Sequence, residues 1–253
     1  MEIPAGFTEQ FLNWFRARTE AAWSMYQPWK FEDYVAAGVG GSDWQRGTRW
    51  VGGLSEEQIE QIERQWSLRF PPDYRLFLRV LHTIDRPRLG AFYNDDSPSH
   101  LVPCKRPSFY NWLVDKEALL GRFDWLVEGL QFDVEHSRLW LPGWGAKPST
   151  LSAQKERVRA LVAAAPRMIP VIEHRYLLAD PCQSGNPVFS IYQSDIIDYG
   201  PDLRTYFLRE FSRLLDIDED RWRKEREANT QRARQEAYEA IPFWGEIYRD
   251  NNG

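Results

Sequence analysis

The chain has 253 residues, enough to bury a sizeable core, and its 43% hydrophobic and 27% charged residues argue against wholesale disorder. Its 32 basic and 37 acidic side chains leave a net charge of −5 with no basic stripe outside one mixed-charge stretch, which disfavours nucleic acid as a partner. Cys104 and Cys182 are too few for a disulfide framework, and no CxxC or Cys/His spacing suggests zinc.

Residues 8–26 read as an amphipathic helix capped by Thr8, with Phe11, Trp14, Phe15, Ala22 and Met25 on its inner side. The glycine-rich stretch 38–53 reads as a loop carrying Trp44 and Trp50, and it marks the end of an N-terminal extension over residues 1–53. Ser55 and Gln58 form a capping box, and Ile59, Ile62 and Trp66 continue an inward face. Pro71 and Pro72 stop that helix and start another, with Tyr74, Phe77, Leu78 and Leu81 inward, so the two make an αα-hairpin. Short strands are expected at 89–93 and 101–104, separated by the exposed turn Asn94-Asp95-Asp96, and helices at 112–128 and 152–165.

The centre is strand-rich, with apolar runs at 168–172, 176–179, 188–192 and 196–199 and a turn at Gly185-Asn186. A helix then opens at Asp202 with Leu203, Tyr206, Phe207, Phe211, Leu214 and Leu215 inward. Residues 218–240 read as a charged, solvated helix held by Trp222 and Tyr238, with Phe243 and Trp244 docking the tail. The expected class is α+β: a single antiparallel or mixed sheet packed by helices, with extra N- and C-terminal helices. The three segments are 1–53, a main domain over 54–215, and the charged helix and tail over 216–253. The first residues show no basic-then-apolar leader and no run is long enough to span a bilayer, so a soluble, cytoplasmic protein with no membrane partner is expected.

The stretch Leu54-Ser55-Glu56-Glu57-Gln58-Ile59, continuing to Phe70-Pro71-Pro72-Asp73-Tyr74, resembles the opening helix pair of the SMI1/KNR4 (SUKH) superfamily, with Phe70 where leucine is usual. Four further stretches resemble a long bacterial branch of that family. They are Phe132-Asp133-Val134-Glu135-His136, Trp140-Leu141-Pro142-Gly143-Trp144-Gly145, the run from Met168 to Tyr176, and Gly185-Asn186-Pro187-Val188 on to Tyr199-Gly200. The chain departs from the family after the second helix, where Leu81-His82-Thr83-Ile84-Asp85 replaces a glycine-rich turn. The resemblance implies a sheet packed by helices, no general enzymatic activity, and, for bacterial members, neutralisation of polymorphic toxins by protein–protein contact. Fungal members imply a regulatory role in cell-wall synthesis and signalling, and a scaffold using the charged C-terminal helix is the corresponding alternative here.

Catalytic, metal and nucleotide motifs are weak. A small-molecule site or hydrolase would use His174 as base with Asp133 or Glu135, read as sharing one strand face. No cofactor or metal is expected, since no third ligand, Walker motif, dinucleotide fingerprint or nucleophile elbow accompanies these groups. The remaining candidates are aromatic and polar side chains suited to a protein interface: Trp140, Trp144, His174, Arg175, Tyr176, Tyr192, Asp195 and Tyr199. On this reading, truncating Arg175 and Tyr176 together is expected to abolish partner binding while leaving the thermal transition nearly unchanged.

Overall fold

In the computed structural model, which describes residues 2–91, 100–104, 107–217 and 231–252, helix α1 (Glu9–Met25) begins where the Thr8 hydroxyl oxygen accepts from Phe11 N at 3.2 Å. Its buried ladder is Phe11, Phe15, Thr19 and Trp23, spaced by four, with Leu12 beside it. The expected stripe differed at its end: Met25 is 73% exposed, because the four-residue rows drift around the helix and bring Trp23 inward instead.

After α2 (Phe31–Ala37) and β1 (Gly41–Asp43), the capping box before α3 (Glu56–Trp66) is reciprocal. Ser55 Oγ accepts from Gln58 N at 3.3 Å, and Gln58 Oε1 accepts from Ser55 N at 2.9 Å. Ser55→Ala should cost about 1 kcal/mol in urea unfolding; an unchanged midpoint would show that the cap contributes nothing here. Helix α4 (Pro72–Val80) starts on proline and completes the αα-hairpin. Gly53 lets the chain run against α4, where an added Cβ would sit 1.7 Å from the Arg79 carbonyl oxygen.

The strands fall into two antiparallel sheets rather than one. β1, β2 (Leu89–Ala91) and β3 (Val102–Pro103) make a small sheet, while β4 (Met168–Ile172), β5 (Arg175–Leu178), β6 (Val188–Tyr192) and β7 (Asp195–Gly200) form a meander in chain order. At the β4 edge the contact from the 84–109 region is the isolated bridge Phe109↔Ile172, too short to fuse the sheets. Between them run α5 (Lys116–His136), a 3-10 turn (Pro142–Trp144) and α6 (Leu151–Ala164). Helix α5 continues well past the expected end and takes in the Asp133–His136 stretch that reads locally as a strand. Leu126, Leu130 and Val134 explain this: at a spacing of four they keep one face buried through the last turns.

Helices α7 (Leu203–Glu210), α8 (Ser212–Leu215), α9 (Gln231–Glu239) and α10 (Trp244–Asn252) follow the meander. The meander has a core on each face. Leu177 and Val188 join Phe11, Phe15, Trp50, Phe77, Phe207 and Phe211, whereas Tyr176, Leu178, Phe189 and Ile191 join Leu126, Leu130, Trp244 and Tyr248. This is the two-residue alternation of a strand buried on both sides. Helix α1 contributes to the first core and the C-terminal helices to the second; Tyr238 and Trp244 are buried there, while Trp222 lies outside the described residues. Among the described residues no helix is long and apolar enough to cross a membrane.

Candidate functional site

The predicted site residues occupy four places. Trp144 and Tyr176, 1% and 0% exposed, are core side chains and present no binding surface. Trp140 is half-buried against Trp144, ring centroids 5.6 Å apart, and its indole N–H donates to Gly145 O at 2.8 Å. His174 and Tyr192 sit at the tips of neighbouring hairpins, with Asp195 exposed beside them as the register partner of Tyr192. Arg175 opens β5 next to the first tip and reaches over Tyr199, which lies near the far end of β7 and lines a cleft.

The hairpin tips are fixed by the backbone and by α5. Glu173 and Gln193 both adopt left-handed φ values, 47° and 60°, in the tight turns that join β4 to β5 and β6 to β7. Asp133 of α5 grips the second turn, Oδ2 accepting from Ser194 N at 2.9 Å and from Ser194 Oγ at 2.6 Å. Gly129 lets that turn lie directly on the helix, since an added Cβ would come within 3.0 Å of Gln193 Cα. Tyr192 is left 55% exposed, its ring 5.3 Å from Trp125 and 6.3 Å from His174. Along α5 the same helical face carries Phe132, 47% exposed and stacked at 4.1 Å on His136. The result is an aromatic strip on rigid elements, half of it supplied by α5, which runs on to His136 past its expected end at residue 128.

Arg175 opens β5 directly after the first tip. Its guanidinium lies 3.8 Å from the centre of the Tyr199 ring, donates to Ser190 Oγ at 3.1 Å and contacts His174 Nε2. Burial, with the Arg175 charge beside it, pushes His174 down to about 4, so the ring is neutral at pH 7 and can accept from arginine. Glu210 Oε2 stands 4.0 Å from Arg175 Nε; burial raises that carboxyl and the arginine only partly draws it back.

Above this network the α1–α2 corner, β1–β2 and the α7–α8 end enclose a cleft of about 760 Å³. Tyr26, Trp29 and Tyr34 come from the corner, Arg88 and Trp44 from the small sheet and its edge, and Arg209 and Arg213 from α7–α8. Asp43 is covered by donors: Oδ1 accepts from Tyr26 OH and from Trp44 N at 2.9 Å, and Oδ2 from Trp29 N at 3.0 Å. Arg88 pairs with Glu173 at 3.3 Å, donates to Ser42 O at 2.8 Å and lies 4.8 Å from the Trp44 ring. Sequence reading missed this cleft because its walls come from segments near residues 26–44, 88 and 199–214; an aromatic density around Trp29–Trp44 was the one local signal.

The hydrolase arrangement does not assemble by hydrogen bond or ion pair. Asp133 serves Ser194, Glu135 pairs with Lys155 at 2.5 Å, and both lie on α5 rather than on a strand. Among the described residues no group of three or more His, Cys, Asp or Glu is placed to hold a metal ion. Asn94-Asp95-Asp96 lies outside the described residues. Compared with family models, with curated proteins and with solved structures, the chain finds no match.

Proposed function

We propose that the protein is a non-catalytic, cytoplasmic protein-binding module of the SMI1/KNR4 type, serving as an immunity protein that covers the active surface of a bacterial toxin domain. The motif resemblance supports the family, and an αα-hairpin followed by an antiparallel meander is compatible with it. The observation that carries the binding role is the aromatic strip: Tyr192 and Phe132 are exposed yet held by Trp125, His136 and a turn locked to Asp133. Such rings lose little conformational entropy on docking and bury a large area, which is what binding hot spots require. The net charge of −5 suits a basic partner and would speed encounter with it.

The test is capture from host lysate by tagged wild-type protein and by a Tyr192→Ala/Phe132→Ala double variant, with partners identified by mass spectrometry. Wild type should retain one dominant partner carrying a toxin domain. The double variant should bind it about tenfold to a hundredfold more weakly with little change in thermal transition, because both side chains are exposed. Equal retention by both proteins would move the interface elsewhere, and a dominant partner without toxin chemistry would end the immunity assignment.

A further inference from the structure

The cleft carries chemistry that a flat protein-docking face does not need, and its walls are divided by type. On the α1–α2 side Trp29 is 46% exposed, with Tyr34 edge-on to it at a centroid distance of 5.1 Å. On the α7–α8 side Arg213 is exposed and makes no ion pair or hydrogen bond with any described residue, beside Arg209. At about 760 Å³ the space is that of a small-molecule site.

Two features favour an anion with a flat ring over other occupants. The guanidinium of Arg209 is held 4.2 Å from the Tyr199 ring and that of Arg88 4.8 Å from the Trp44 ring, so the positive charge is positioned before any ligand arrives. Among the described residues that line the cleft the acids are engaged: Asp43 accepts from three donors, and Glu210 is largely buried and faces Arg175. The cleft therefore presents guanidinium groups together with the exposed Trp29 ring, on a protein whose overall charge is −5.

We propose that this cleft binds a nucleoside phosphate, with the base against the exposed Trp29 ring, which the buried Tyr34 backs edge-on, and the phosphate toward Arg213 and Arg209. Every base offers a flat π-face to such rings, and a phosphate matches the guanidinium fork. The site is separate from the hairpin-tip strip and does not depend on the protein-binding role.

Isothermal titration of the full chain at low salt, with AMP, adenosine, inorganic phosphate and hexaglutamate as probes, tests it. AMP should bind saturably at roughly millimolar concentration or below, more tightly than adenosine or phosphate alone. Arg213→Glu and Trp29→Ala should each weaken AMP by about tenfold or more, and the Tyr192→Ala/Phe132→Ala variant should bind it like wild type. The proposal fails if AMP gives no saturable heat, or if phosphate binds as well as AMP and Trp29→Ala changes nothing. Binding of hexaglutamate with AMP silent would also overturn it and assign the cleft to an acidic protein segment.

Discussion

Tyr176→Ala should destabilise the protein by about 4 kcal/mol, read as a fall in the urea midpoint with the fluorescence and circular dichroism transitions still coincident. The ring is fully buried at the centre of β5, register partner of Pro170 and Phe189, and packs in the core that joins the meander to α5. Its hydroxyl donates to Arg122 O at 3.0 Å in buried surroundings. Alanine would thus leave both a cavity and a carbonyl short of a partner, whereas Tyr176→Phe should lose only the second, about 1 kcal/mol. An alanine variant within about 1 kcal/mol of wild type would mean that the ring is not packed as described. The double truncation of Arg175 and Tyr176 is therefore not a clean probe of binding. It should lower the thermal transition together with any loss of binding, which reverses the expectation that the transition would hold.

What the sequence made legible follows from how local each signal is. The Ser55–Gln58 box, the Pro71-Pro72 junction and the β6 run need only a few adjacent residues to declare themselves, and each lies where its spacing placed it. The Gly185-Asn186 turn is equally local: Gly185 takes φ 84°, and the Asn186 side-chain amide donates to Leu178 O at 2.9 Å and Pro181 O at 2.7 Å. Helix α5 was harder, since Gly121 and Gly129 interrupt its pattern and the acidic pair Asp133 and Glu135 points to different partners. Only the turn delivered by β6 and β7, from sixty residues further on, shows why Gly129 and Asp133 stand there. Selecting Trp, Tyr and Arg by type could not separate Tyr176 from Tyr192, because facing inward or outward depends on how each strand pairs and ends. The same holds for the cleft: Trp29, Arg88 and Arg213 become neighbours only once α1, the small sheet and α7–α8 have packed on one core.

Acidification from pH 7 to pH 4.5 should remove much of the stability through His82. This residue lies in the segment that replaces the glycine-rich turn of the resembled family, at φ 61° and only 2% exposed. Its Nε2 accepts from Trp112 N at 3.1 Å, so a proton there would face another N–H in the protein interior. Burial pushes its pKa from 6.5 down to about 4. Between those values the unfolded chain binds a proton that the folded protein refuses, so stability is fully present above 6.5 and falls as pH drops toward 4. Over the whole window the linkage amounts to about 3 kcal/mol. His174 is depressed in the same direction but is partly exposed, so solvent screens its share. Glu210 and Asp73, whose carboxyls burial raises, act oppositely in the window above their ordinary values. The informative quantity is therefore the difference between wild type and His82→Gln, which offers Trp112 an acceptor that does not titrate. The variant should show a distinctly flatter dependence of urea stability on pH between 7 and 4.5, even if it is less stable throughout. Parallel curves for the two proteins would show that His82 titrates alike in the folded and unfolded chains and that the acid lability arises elsewhere.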